Sequence, residues 1–189
     1  MKKYFYTLII FLISSEYTAN AQCNCSFSSQ QYVGLLEGSK GSAFQLQTVN
    51  GLKYKTWFAG IGAGLDYYTF RSVPIFLSLN KEFLLGRNSI YALFDAGYNI
   101  PWYEKEEGRG NNFVSSDITG GFYWSGGVGY KISVNKKRDA VLFNLGYSFK
   151  EMKEAQEMPV FCISPPCLNK IDNYDYKLNR LSLKLGYQF

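Results

Sequence analysis

Apolar and polar residues alternate with a period of two through most of this chain. In 180–189, Leu181, Leu183, Leu185, Tyr187 and Phe189 take every second position, and Arg180, Ser182, Lys184, Gly186 and Gln188 fill the gaps. In 139–150, Val141, Phe143, Leu145, Tyr147 and Phe149 oppose Ala140, Leu142, Asn144, Gly146 and Ser148. Segments 57–67, 73–80, 89–102 and 120–135 repeat the pattern, with Gly126 the single gap in the last. Successive side chains on a strand point to opposite faces, whereas a helix returns to one face every 3.6 residues. No helical spacing occurs in these segments, so six strands are predicted.

A weaker seventh strand is predicted at 42–50, and an eighth within 30–36 from topology. Asn50-Gly51 has the composition of a two-residue hairpin turn. The connections are short at 50–53, 86–88 and 135–139 and long at 103–119 and 151–176, with 37–41 and 69–71 as tight exceptions. Short turns at one end and longer loops at the other predict an all-β fold: an eight-stranded antiparallel up-and-down transmembrane β-barrel.

Alternation leaves open which face points inward. A soluble ligand-binding barrel turns its apolar face inside, and a membrane barrel turns it to lipid. Two features favour lipid. The polar faces carry Gly, Ser, Asn and isolated charges rather than a Lys/Glu-rich coat, and Gly60, Gly62, Gly64, Gly97, Gly127, Gly129 and Gly186 suit a crowded interior. Trp57, Tyr67, Tyr98, Trp102, Trp124 and Tyr187 fall near strand ends, as interfacial aromatics do.

Composition adds an address. Lys2 and Lys3, an apolar run over 4–13 and Ala19-Asn20-Ala21 have the layout of a cleaved signal peptide at 1–21, leaving 22–189 as the barrel domain. Asn20-Ala21-Gln22 lacks the Leu and the small residue expected before a lipidated Cys23. Without Lys2, Lys3 and Glu16 the charge is 18 minus 14, or +4, too mild and dispersed to suggest nucleic acid. Lys136-Lys137-Arg138 reads as a solvated turn tip. In an exported chain, Cys162 and Cys167 are expected to close a small disulfide loop, while Cys23 and Cys25 are too close for an unstrained bridge.

The ending Leu183-x-Leu185-x-Tyr187-x-Phe189 resembles the assembly signal of Gram-negative outer-membrane barrels. "GSKGSAFQLQTVNG", "GIGAGLDYYTFRSVPIFLSL", "LFDAGYNIPW", "GGFYWSGGVGYK" and "LNRLSLKLGYQF" are similar, in order, to segments of the small porin-like family of OmpA–OmpX-type eight-stranded barrels. The resemblance spans roughly 38–189. It implies localisation in the outer membrane, membrane lipid as surroundings, and the barrel-insertion machinery as the partner that reads Leu183, Leu185, Tyr187 and Phe189. It brings no catalytic motif.

The residues themselves argue against an enzyme. The chain has no His, so a Ser–His couple cannot form, and G-I-G-A-G lies inside a strand rather than opening a helix. No cofactor or metal is expected, and the reading is a monomer. The expected function is a structural or surface-interaction role through the loops at 103–119 and 151–176. A narrow channel is the alternative and a soluble periplasmic barrel the second; no surface ligand or partner is identified. Asp66, Glu82, Asp95, Lys131, Arg180 and Lys184 fall on polar faces and are expected inside the barrel, with Asp95 and Lys131 as a direct pair. Eight strands leave room only for side chains, which predicts a packed polar core and no pore.

Overall fold

The computed structural model describes residues 25–102, 115–134, 139–158 and 170–189. The elements are β1 (Ser26–Gly38), β2 (Gly41–Tyr54), β3 (Trp57–Asp66), β4 (Ser72–Leu85), β5 (Asn88–Pro101), β6 (Ser115–Ser133), β7 (Ala140–Met158) and β8 (Lys170–Gln188). Each pairs antiparallel with the next, and β8 pairs with β1, so the sheet closes on itself. The first 24 residues, with the expected signal segment, and the turn at 135–138 lie outside the described residues.

Paired neighbours can be followed once around the wall from Ser28 through Gly51, Gly60, Ser78, Asp95, Ser125, Ser148 and Arg180 to Gly38. The path returns to β1 ten residues above its start (38 minus 28). Eight strands with that stagger tilt by about 40° and enclose an interior just wide enough for side chains.

The two faces are sorted as in a membrane barrel. Leu77, Leu145 and Leu181 are 67%, 59% and 59% exposed, whereas Arg180 and Asp66 are 1% and 2% exposed. On β2 the outward aromatics Tyr54 and Phe44 stand ten residues apart, and Trp57 and Tyr67 bracket β3 in the same way. Ten residues on such a tilt span roughly 25 Å, the height of the apolar band of an outer-membrane barrel. We call the end carrying Ser26 and Gln188 the terminal end and the other the far end.

Three features differ from the sequence reading. Asn50-Gly51 is not a turn: β2 runs on to Tyr54, and the chain reverses at Lys55-Thr56 with Lys55 at φ 55°. Gly51 serves a close strand approach instead, since a Cβ there would lie 2.2 Å from the Ala59 carbonyl oxygen. The long connections are also shorter than expected, because 115–119, 151–158 and 170–176 are strand. Beyond the apolar band water wets both faces, so these ladders carry no binary pattern to read. Finally, the core is not purely polar. Tyr32, Val49, Phe58, Phe76, Tyr91, Leu93, Tyr123 and Leu142 form a buried apolar cluster inside the barrel. Several of these rings press close against glycines of a neighbouring strand: a Cβ on Gly186 would meet Tyr32 at 2.4 Å, and one on Gly129 would meet Tyr91 at 2.2 Å. Glycine thus makes the room that the aromatic fills.

Candidate functional site, a lumen of stacked ion pairs

The inward positions carry charge at three levels. At the terminal end, Glu82 on β4 receives Lys53 Nζ at 2.5 Å and Lys131 Nζ at 2.8 Å on its two oxygens. Lys131 also donates to Gln188 Oε1 at 2.9 Å. At mid-height, Lys184 Nζ donates to Gln47 Oε1 at 2.8 Å and lies 3.8 Å from Asp95 Oδ2, while Gln47 Nε2 donates to the Tyr123 hydroxyl at 3.0 Å. At the far end, Asp66 bridges the Arg180 guanidinium and Lys150 Nζ, the latter at 3.2 Å. Arg180 also donates to Ser148 Oγ at 2.7 Å, and Lys150 to Ser72 Oγ at 3.0 Å and the Phe70 carbonyl at 2.8 Å.

Each level follows from register. Arg180 and Ser148 are ladder partners on β8 and β7, so their side chains enter the lumen together. Asp66 reaches them across the barrel from the end of β3, where its other oxygen accepts the Tyr68 backbone N–H at 2.8 Å. Every carboxylate of the three levels is matched to at least one cation, as burial of ionic groups demands.

All six charges named from the sequence are buried in this lumen. The pairing differs from the expectation of an Asp95–Lys131 couple. Asp95 stands opposite Ser125 and Lys131 opposite Ser89, so the two are separated by six residues of ladder, on the order of 20 Å. Lys131 takes Glu82 instead and Asp95 takes Lys184.

Two participants were not named from the sequence. Lys150 is the last residue of the segment read as strand, two places past Ser148 on the inward parity of β7. Lys53 falls just after Asn50-Gly51, within the expected turn. Parity carried to the end of the first segment and past the end of the second finds both.

Leu183, Leu185, Tyr187 and Phe189 all point outward, 43–58% exposed. Phe189 exchanges two backbone hydrogen bonds with Ser29, at 2.9 and 3.0 Å, at the seam between β8 and β1. Cys25 is disulfide-bonded. Cys23, Cys162 and Cys167 lie outside the described residues, and the expected Cys162–Cys167 bridge with them. Among the described residues, no group of three His, Cys, Asp or Glu is placed to hold a metal ion.

A closed eight-stranded wall, ion pairs inside and an apolar band outside can be compared with solved proteins. The outer membrane protein OprG from Pseudomonas aeruginosa superposes with a TM-score of 0.53 at 12% identity, over 87% of this chain and 95% of that one. The fold is that of the outer-membrane barrels. Neisserial surface protein A (NspA) superposes with a TM-score of 0.50 at 14% identity, covering 87% and 97% of the two chains. No protein-family model and no curated protein sequence matches the chain.

Proposed function

We propose that this protein is an integral barrel of the Gram-negative outer membrane with a closed lumen, acting through the strands that it raises above the membrane. The observation that carries the reading is the filled interior. The mid-lumen cavity bounded by Gln30, Tyr32, Gln47, Asn80, Asp95 and Lys184 measures about 10 Å³, room for a single water. Ion pairs close it off towards both ends. A solute path would need the aromatic cluster and two ionic tiers to move together. The apolar band in turn argues against a soluble periplasmic barrel, which would leave that face in water.

The far end supplies the surface. Past Phe149, β7 continues to Met158, paired in register with Leu178 back to Lys170 on β8. Nine further residues make a ladder of roughly 30 Å along the strands. Lys153 faces Asp175 and Glu151 faces Lys177 across it, and Tyr176 donates to Glu154 at 2.9 Å. The base of the ribbon packs on an apolar cluster of Leu36, Tyr68 and Leu178, against which Phe70 and Tyr176 lie, and opposite-charge cross-strand neighbours suit the part above it. Ile171 and Tyr174 are left exposed. With the terminal end in the periplasm, this ribbon projects from the cell, rigid enough to present a contact surface.

The test has two arms. Purified protein in planar bilayers is expected to give no steady conductance, and a reproducible single-channel step refutes the closed lumen. A cysteine at Tyr174 is expected to react with an impermeant maleimide on intact cells. Labelling only after the outer membrane is permeabilised refutes the orientation.

A further inference from the structure

Among the described residues, the lipid-facing band is interrupted at mid-height where β1 meets β2. Ser29 and Gln31 on β1 and Thr48 and Asn50 on β2 point outward side by side, because the register pairs Gln31 with Thr48 and Ser29 with Asn50. On β2 the outward series from the terminal-end belt is Tyr54, Leu52, Asn50, Thr48, Leu46 and Phe44. Asn50 and Thr48 therefore stand roughly 10 and 15 Å above Tyr54 in a band about 25 Å high. They lie at mid-membrane, not at the headgroups.

The four side chains satisfy one another only in part. Gln31 Nε2 donates to Thr48 Oγ1 at 2.8 Å and to Ser29 Oγ at 3.1 Å. Ser29 Oγ donates to Asn50 Oδ1 at 2.7 Å, and Asn50 Nδ2 reaches Thr48 Oγ1 at 3.4 Å. Left over are one acceptor, Gln31 Oε1, and two donors, the Thr48 hydroxyl hydrogen and the second amide hydrogen of Asn50. Acyl chains offer partners to none of them. Along the strip runs an outward groove of about 800 Å³, lined by Gln31, Thr48, Ala63, Leu46, Leu65 and Tyr187. The short side chains of Thr48 and Ala63 let another surface approach closely.

We propose that this strip is the contact between two copies of the chain within the membrane. The unspent groups are complementary to themselves. A two-fold axis through the strip brings Gln31 Oε1 of each copy, with its two lone pairs, opposite the Thr48 hydroxyl and the Asn50 amide of the other. Both remaining donors and the remaining acceptor are then engaged away from lipid, and the groove takes up the partner's outward side chains. The four residues belong to two strands and meet only through register, so the sequence read strand by strand does not show the strip.

The inference rests on the membrane-spanning reading, and recovery of the protein in the outer-membrane fraction tests that reading separately. The experiment places a photo-crosslinking phenylalanine derivative at Ala63, beside the strip, or at Val128, on the opposite wall, in the full chain in cells. Illumination is expected to give an adduct of twice the protein's mass from position 63 and none from 128. In the Gln31→Leu, Thr48→Val, Asn50→Leu triple variant that adduct should fall at least tenfold, while the folded form keeps its shifted mobility on unheated gels. An adduct only to lipid or to a protein of another mass, equal dimer from 128, or undiminished dimer in the folded triple variant each overturns the proposal. If the triple variant does not assemble, Asn50→Leu alone serves in its place. Photobleaching of labelled wild type in supported bilayers should show two steps, and single steps throughout overturn the proposal independently.

Discussion

Asp66→Asn tests the far-end tier most directly. Asp66 is 2% exposed and is the anion that both Lys150 and Arg180 approach, and their side chains are fully buried. An amide of the same shape keeps the packing and removes the charge, leaving two cations in a dry cavity. Breaking one side of a buried pair costs about 3–5 kcal/mol, because the abandoned partner keeps its desolvation penalty. Here two partners are abandoned, which places the loss in the upper part of that range. Lys150→Met is milder: the Asp66–Arg180 contact survives, and the buried stem retains its packing. In the double variant, the amide at position 66 strands one cation instead of two, so the loss should be smaller than the sum of the singles by roughly 1–3 kcal/mol. The assay is urea unfolding from phosphatidylcholine vesicles, followed by tryptophan fluorescence and by the mobility shift of the folded barrel on unheated gels. Additivity within about 0.5 kcal/mol refutes the tier as an energetic unit. A loss below about 1 kcal/mol for Asp66→Asn, well short of the cost of a stranded buried charge, shows that water solvates these groups and that the lumen is not closed.

Three shorter predictions follow from the wall. Leu145→Arg, facing lipid opposite Val128 and Leu183, should cost about 2–4 kcal/mol in the same assay. Equal loss from the conservative inward change Asn144→Gln counts against the face assignment. Gly186→Val is expected to displace the Tyr32 ring and lower stability by about 1–3 kcal/mol, and Tyr32→Ala in the same chain should recover part of that loss. No recovery would mean that the ring is not the obstacle. Deleting Phe189 removes both backbone hydrogen bonds to Ser29 at the seam and is expected to reduce assembled barrel in the membrane fraction; normal assembly refutes its role there.

What the sequence determined by itself was set by the solvent on each side of the wall. Within the apolar band one face meets lipid and the other a narrow interior, so every strand there is written in two alternating alphabets. Six of the strands, the outward set from Leu181 to Phe189 and six of the inward charges are therefore legible one strand at a time. Where the solvent is the same on both sides the writing stops, which is why the strand at 151–158 reads as loop. Pairing between strands was decided only by closure. A stagger of ten residues sets which level of one strand meets which level of another, and it sends Lys131 to Glu82 and Asp95 to Lys184 across the lumen. The register of the β1–β2 hairpin, carried down from its turn at Ser39-Lys40, brings Gln31 beside Thr48 on the outer face. The lumen neighbours lie far apart in sequence and are fixed by the tilt that eight strands need to close, a property of the whole wall that no single strand contains.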